Sequence, residues 1–168
     1  MVIAVTTAYD VAAQVRDPEL PVLTLADLGV LRDVTEAPGG RVSVTITPTY
    51  SGCPALDEMG ADLRRSLLAA GYSAVEVRTS LSPAWTTDWI SEDGLRKLRE
   101  AGIAPPSRLG PKVAGPVPLN LVPPSARVAC PRCGSFRTSE LSRFGSTACK
   151  ALRRCLDCAE PFEHVKEI

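Results

Sequence analysis

The sequence predicts an α+β chain: a small two-layer domain with a three-stranded sheet, then a second, smaller module gathered around cysteines. Three observations predict it. Over the first hundred residues the apolar pattern switches between period 2 and period 3.6, as strands and helices alternate. Residues 104–127 then hold seven prolines, too many for regular structure. Near the C-terminus two Cys-x-x-Cys pairs follow each other. At 168 residues the chain is long enough for one medium domain or two small ones. The expected division is an α+β domain over 1–103, a proline-rich linker over 104–127 and a cysteine module over 128–168.

The first helix is expected over Thr6–Val15, with Thr7 as N-cap, Asp10 in the first turn and Val11 and Val15 four apart. Asp17-Pro18-Glu19-Leu20-Pro21 reads as a rigid turn, because each proline disfavours helix in the residue before it. Ala26-Asp27-Leu28-Gly29 leads into a first strand, Val30–Thr35. Pro38-Gly39-Gly40 turns the chain into a second, where Val42, Val44 and Ile46 alternate with polar residues. Leu56, Met59, Leu63, Leu67 and Ala70 then recur at helical spacing up to Gly71. Val75, Val77 and Thr79 make a third strand within Tyr72–Ser80, which a strand–helix–strand crossover should place parallel to an earlier one.

The loop Pro48–Gly52 delivers Cys53 to the start of that helix, with Pro54 suited to its first position. Unpaired N–H groups and the helix dipole would favour a thiolate there. Asp57 and Glu58 oppose it, and no Lys, Arg or His occurs between Pro48 and Asp62. Cys53 therefore has two readings, a poised thiol or a small buried apolar residue.

Trp85 and Trp89 follow the third strand, and Ser91 caps a charged helix, Glu92–Ala101, that stops at Gly102. The tryptophans read first as closure of the core and second as anchors for a partner protein. In the proline-rich stretch Val117, Leu119, Leu121 and Val122 make an extended tether less polar than a free linker.

Cys130-Pro131-Arg132-Cys133-Gly134 and Cys155-Leu156-Asp157-Cys158 flank a 21-residue segment. Each pair forms a tight knuckle that aims two sulfurs at one ion, and two knuckles complete a tetrahedral set. This is a zinc-ribbon pattern, with strands expected near Thr138–Phe144 and Ala151–Arg154. Zinc is the default for four thiolates, with iron chemically compatible. Four protein ligands leave no open position, so the ion would be structural. Cys149, next to Lys150, is a secondary thiol candidate, and His164, the single histidine, has no catalytic partners in sight.

Charge narrows the function classes. Lys+Arg and Asp+Glu both number 19. The cysteine module has seven basic residues against five acidic ones, and a metal-bound thiolate set would bring it near neutrality. A nucleic-acid partner is disfavoured, as are a membrane surface and a secretion signal, so the cytoplasm is the expected compartment. No independent catalytic apparatus is recognisable.

Several stretches together resemble a known family. Asp17-Pro18-Glu19-Leu20-Pro21, Leu25-Ala26-Asp27-Leu28-Gly29-Val30, Thr45-Ile46-Thr47-Pro48 and Cys53-Pro54 resemble the MIP18/DUF59 domain, which is linked to iron–sulfur protein maturation. Pro83–Ile90, Gly102-Ile103-Ala104-Pro105-Pro106 and Phe144–Leu152 beside the ribbon resemble the PaaD components of bacterial phenylacetyl-CoA 1,2-epoxidase systems. Arg153 departs from that pattern where an aromatic is expected. The resemblance implies an accessory role in aerobic phenylacetate breakdown, with an oxygenase, a reductase or iron–sulfur assembly proteins as partners. It implies that Cys53 is the functional thiol, in contact with transient iron or a cluster. A stoichiometric structural subunit and an electron-transfer protein are the alternatives.

Overall fold

A computed structural model describes residues 7–107 and 127–168. They fall in two compact units, Met1–Lys97 and Leu98–Ile168. The first contains α1 (Ala8–Ala12), β1 (Leu31–Ala37), β2 (Arg41–Ile46), α2 (Leu56–Ala69) and β3 (Ala74–Thr79). The boundary between units runs within α3 (Glu92–Glu100). The second contains β4 (Thr138–Ser142), β5 (Lys150–Cys155) and β6 (Pro161–Val165).

Local chemistry sets the first unit's ends and turns. At α1 the Thr7 hydroxyl accepts from the Asp10 N–H at 3.2 Å, and the Asp10 carboxylate accepts from the Thr7 N–H at 2.8 Å. That is a reciprocal cap for a helix too short to stand alone. Gly39 and Gly40 both have positive φ, 81° and 73°, which a tight hairpin turn between right-twisted strands requires. The hairpin registers Val34 on Val44 and Ala37 on Arg41. After α2 crosses the sheet, β3 pairs with β2 in parallel from Arg41↔Ala74 to Ile46↔Thr79. Val42, Val44 and Ile46 of β2 are buried, as are Met59, Leu63 and Leu67 of α2. Thr35, Arg41, Ser43, Glu76 and Arg78 line an open depression of about 450 Å³.

The turn before β1 organises the end of the unit. Asp27 accepts from the Thr24 N–H at 2.9 Å and from the Lys97 ammonium at 2.6 Å, while its carbonyl accepts from the Ser91 N–H at 2.8 Å. Burial would raise the Asp27 carboxyl, but the Lys97 ammonium and the Thr24 N–H outweigh it and hold it below the usual carboxylate range. Trp85 is buried, and its indole N–H donates to the Leu28 carbonyl at 2.9 Å. A side chain so committed offers no surface to a partner. Trp89 is half-buried, with the Arg32 guanidinium 3.6 Å from its ring centroid. It lies so close to Gly29 (φ 69°) that a Cβ there would come within 2.6 Å of both its Cβ and its carbonyl oxygen.

In the second unit β4, β5 and β6 form an antiparallel meander. Sequence pattern anticipates β4 and β5 but not β6, whose polar Pro-Phe-Glu-His-Val run hides a strand with Phe162 and His164 buried. Ala104 bridges His164 in parallel, donating to the Glu163 carbonyl at 2.8 Å and accepting from the Val165 N–H at 3.0 Å. That contact covers the β6 edge. Val117, Leu119, Leu121 and Val122, expected to temper the tether, lie outside the described residues.

Replacing Gly29 with alanine should destabilise the first unit by about 2–4 kcal/mol, because the new methyl group must displace Trp89 and adopt a left-handed backbone. Urea unfolding followed by tryptophan fluorescence measures it, and an unchanged midpoint contradicts this packing.

Candidate metal centre and buried thiol

The two knuckles bring Cys130, Cys133, Cys155 and Cys158 together, their sulfurs all within 4.8 Å of one another. The Cys130–Cys158 pair is 3.8 Å apart and the Cys133–Cys155 pair 3.5 Å. A tetrahedral ion with metal–sulfur bonds of about 2.3 Å would set its ligands about 3.8 Å apart, so the observed spacing fits a thiolate-bound ion. These are free thiols with no disulfide. In each knuckle the first cysteine is buried and the second exposed.

The main chain supplies the counterpart of that arrangement. N–H groups of Cys158 and Asp157 serve Cys155, that of Ser135 serves Cys133 and that of Glu160 serves Cys158. At Cys155 the Cys158 N–H leads, and the thiol is held down at about 7. At Cys133 the Ser135 N–H is outweighed by the neighbouring thiols of Cys155, Cys158 and Cys130, and its own is pushed up to about 12. Four sulfurs this close cannot all ionise unaided; a divalent cation removes the conflict. Gly134, after the first knuckle, takes φ 75°, as its place in Cys-Pro-x-Cys-Gly anticipates; after the second knuckle Ala159 takes φ 62° without glycine's freedom.

Cys149 stands outside this set. It is buried, 3.1 Å from the Thr147 hydroxyl, while the adjacent Lys150 is buried against Glu163 at 2.8 Å. Lys150 is thus engaged by a carboxylate.

Cys53 departs from the expectation of a thiol at a helix start. α2 begins at Leu56 after an Ala55 cap that makes no side-chain hydrogen bond, so Pro54 sits in a turn outside the helix. Cys53 is 6% exposed. Burial, the largest influence, raises its thiol above the ordinary cysteine value; Glu19 and Asp17 add to this, against the Ala55 N–H and the Tyr50 hydroxyl. Asp57 and Glu58, singled out from sequence, are not the acids concerned. Glu19 and Asp17 come from the Asp-Pro-Glu turn, where the buried Asp17 carboxylate accepts from the Glu19 and Leu20 N–H groups at 2.8 and 2.7 Å. Their shared appearance in the resemblance was the available signal; nothing in either motif alone points to the other. Among the described residues, the four ribbon cysteines form the metal-holding group that emerges, and Cys53 with its acids does not.

A family model described as the PaaD zinc beta ribbon domain matches residues 115–166, which include all four ligands. A protein of Escherichia coli K12, provisionally named as the D component of 1,2-phenylacetyl-CoA epoxidase, is 47% identical over 154 residues, 92% of this chain and 87% of its own length. The chain belongs to this PaaD family. A second model, described as iron-sulfur cluster assembly protein, matches residues 7–78, the part of the PaaD-family chain that carries Asp17, Glu19 and Cys53. An Fe-S protein maturation auxiliary factor of Porphyromonas gingivalis is 33% identical over 96 residues, 55% of this chain and 90% of that protein. The crystal structure of a DUF59 domain from Bacillus anthracis is similar with a TM-score of 0.51 at 27% identity, covering 54% of this chain and 87% of the domain.

In a PaaD-family chain built this way, removing the metal with a strong chelator should unfold the second unit and leave the first folded, because a thiolate cluster joins so small a core. Amide NMR resolves the two, and a second unit that keeps its dispersed signals contradicts the centre's structural role. Because the Cys53 thiol lies above its ordinary value, less of it is thiolate at neutral pH, and alkylation should be slow and rise with pH. Glu19→Gln removes one raising charge and should speed alkylation at pH 8 roughly two- to threefold. An unchanged rate, read by peptide mass spectrometry, separates Glu19 from the thiol.

Proposed function

We propose that this protein is an accessory subunit of a phenylacetyl-CoA 1,2-epoxidase system in phenylacetate breakdown, assisting the assembly or upkeep of an iron or iron–sulfur centre in the oxygenase or reductase. The observation that carries this reading is the joining in one chain of a half matching the iron-sulfur cluster assembly model and a half matching the PaaD ribbon, with 47% identity to one epoxidase component across both. The ribbon would hold zinc through Cys130, Cys133, Cys155 and Cys158 as a closed, structural site. The protein works in the cytoplasm, and its contribution is to a partner's metal rather than to chemistry of its own.

Cys53 is the thiol through which it would act. Burial and two carboxylates keep it protonated at rest. The same carboxylates attract a cation, and a cation beside them would reverse their effect on the thiol. Such a group suits transient handling better than permanent binding, since it becomes a ligand only when the cargo is present.

Cys53→Ser should leave the fold intact and lower both the iron content of the co-expressed oxygenase or reductase and growth on phenylacetate. Undiminished iron and growth would sink the reading. The burial of Cys53 favours one rival, a stoichiometric structural subunit. It calls for stable co-purification with the oxygenase in fixed ratio and indifference to Cys53→Ser.

A further inference from the structure

The sheet of the first unit ends at β3, which has β2 on one side and, among the described residues, no strand on the other. Such an edge presents unpaired main-chain donors and acceptors, and proteins commonly protect it with charges that repel a second copy. β3 is charged differently. Glu76 and Arg78 lie two residues apart on one face, with side chains 60% and 62% exposed, and they flank Val77. When two copies of this strand run antiparallel about an axis at Val77, every Glu76 falls opposite an Arg78. A row of one sign would repel its copy; an acid and a base placed evenly about a central valine attract it.

The opposite face of the edge agrees. Val75 and Val77 are only half-buried beneath α2. A Cβ on Gly60 of α2 would lie 3.9 Å from Val77, and Arg64 and Leu68 follow Gly60 on that flank of the helix at intervals of four. Leu68 is 50% exposed. The edge thus combines free main-chain groups, a partly uncovered apolar strip and a self-complementary pair of charges.

We propose that β3 is the edge through which two copies of this chain join, antiparallel about a two-fold axis at Val77, with Glu76 of each copy opposite Arg78 of the other. The two sheets then form one of six strands. Within one chain Glu76 accepts from Arg78 at 2.7 and 2.9 Å; on association the same groups turn across the axis. One strand pair and two exposed ion pairs make a modest interface, with affinity in the micromolar range and weakened by salt. The inference is independent of the role assigned to Cys53.

The test is sedimentation velocity on the full-length, metal-loaded chain. The wild type should reach twice the mass of one chain at concentrations well above micromolar and fall towards a single chain in high salt. Glu76→Arg and Arg78→Glu each place like charges opposite one another and should weaken association by at least about tenfold. Their circular dichroism should be unchanged, because an exposed pair contributes little to folding. Mixing the two variants restores opposite charges at both positions and should restore a heterodimer; the double variant should self-associate again. A wild type that stays a single chain overturns the proposal, as do single variants that associate like wild type or a mixture that does not pair. A foreign strand found on β3 in place of a second copy overturns it too.

Discussion

In the second unit Ala104, Val128, Cys130, Cys155 and Phe162 form one buried cluster, with Leu98, Ala151 and Val165 also buried, and two of the cluster's five residues are corners of the sulfur tetrahedron. So few side chains cannot offset the conformational entropy of ordering the unit. The knuckles are therefore part of the core rather than an ornament on it. Their position fixes what surrounds them: β5 enters the second knuckle at Cys155, the Leu156 N–H donates to the Arg137 carbonyl at 2.8 Å, and β4 registers Thr138 on Cys155. Ala104 closes the far side by bridging β6, so that edge strand is held by main-chain pairing.

Sulfur is handled oppositely in the two units. In the ribbon, main-chain N–H groups converge on thiols that must ionise together, and the arrangement is balanced only with a cation present. Around Cys53, burial and the carboxylates of Glu19 and Asp17 hold a single thiol neutral. The first geometry suits retention. The second keeps one thiol protonated.

What could be read in the sequence was whatever a few neighbouring residues decide. The Thr7–Asp10 cap, the Gly39-Gly40 turn, the alternation of Val42, Val44 and Ile46 and the spacing of the four ribbon cysteines each carry their own geometry. The parallel placement of β3 followed from the crossover alone. What escaped depends on distant parts of the chain. Pro54 is equally at home in a helix start or a turn, so the true start at Leu56 was hidden. Trp85 reveals its role only through the Leu28 carbonyl, which no local pattern encodes. Arg153, standing where an aromatic was expected, keeps a nearly buried side chain 3.6 Å from Glu140, a replacement of packing by charge that spacing cannot announce.

The left-handed backbone of Ala159 makes the two halves of the ribbon unequal. Glycine adopts that conformation freely after the first knuckle, whereas alanine after the second stores roughly 1–3 kcal/mol of steric strain. The surrounding main chain holds Ala159 in that conformation, with the Cys155 N–H donating to the Glu160 carbonyl at 2.9 Å across the turn. Two turns of like outline are thus reached at unequal conformational cost.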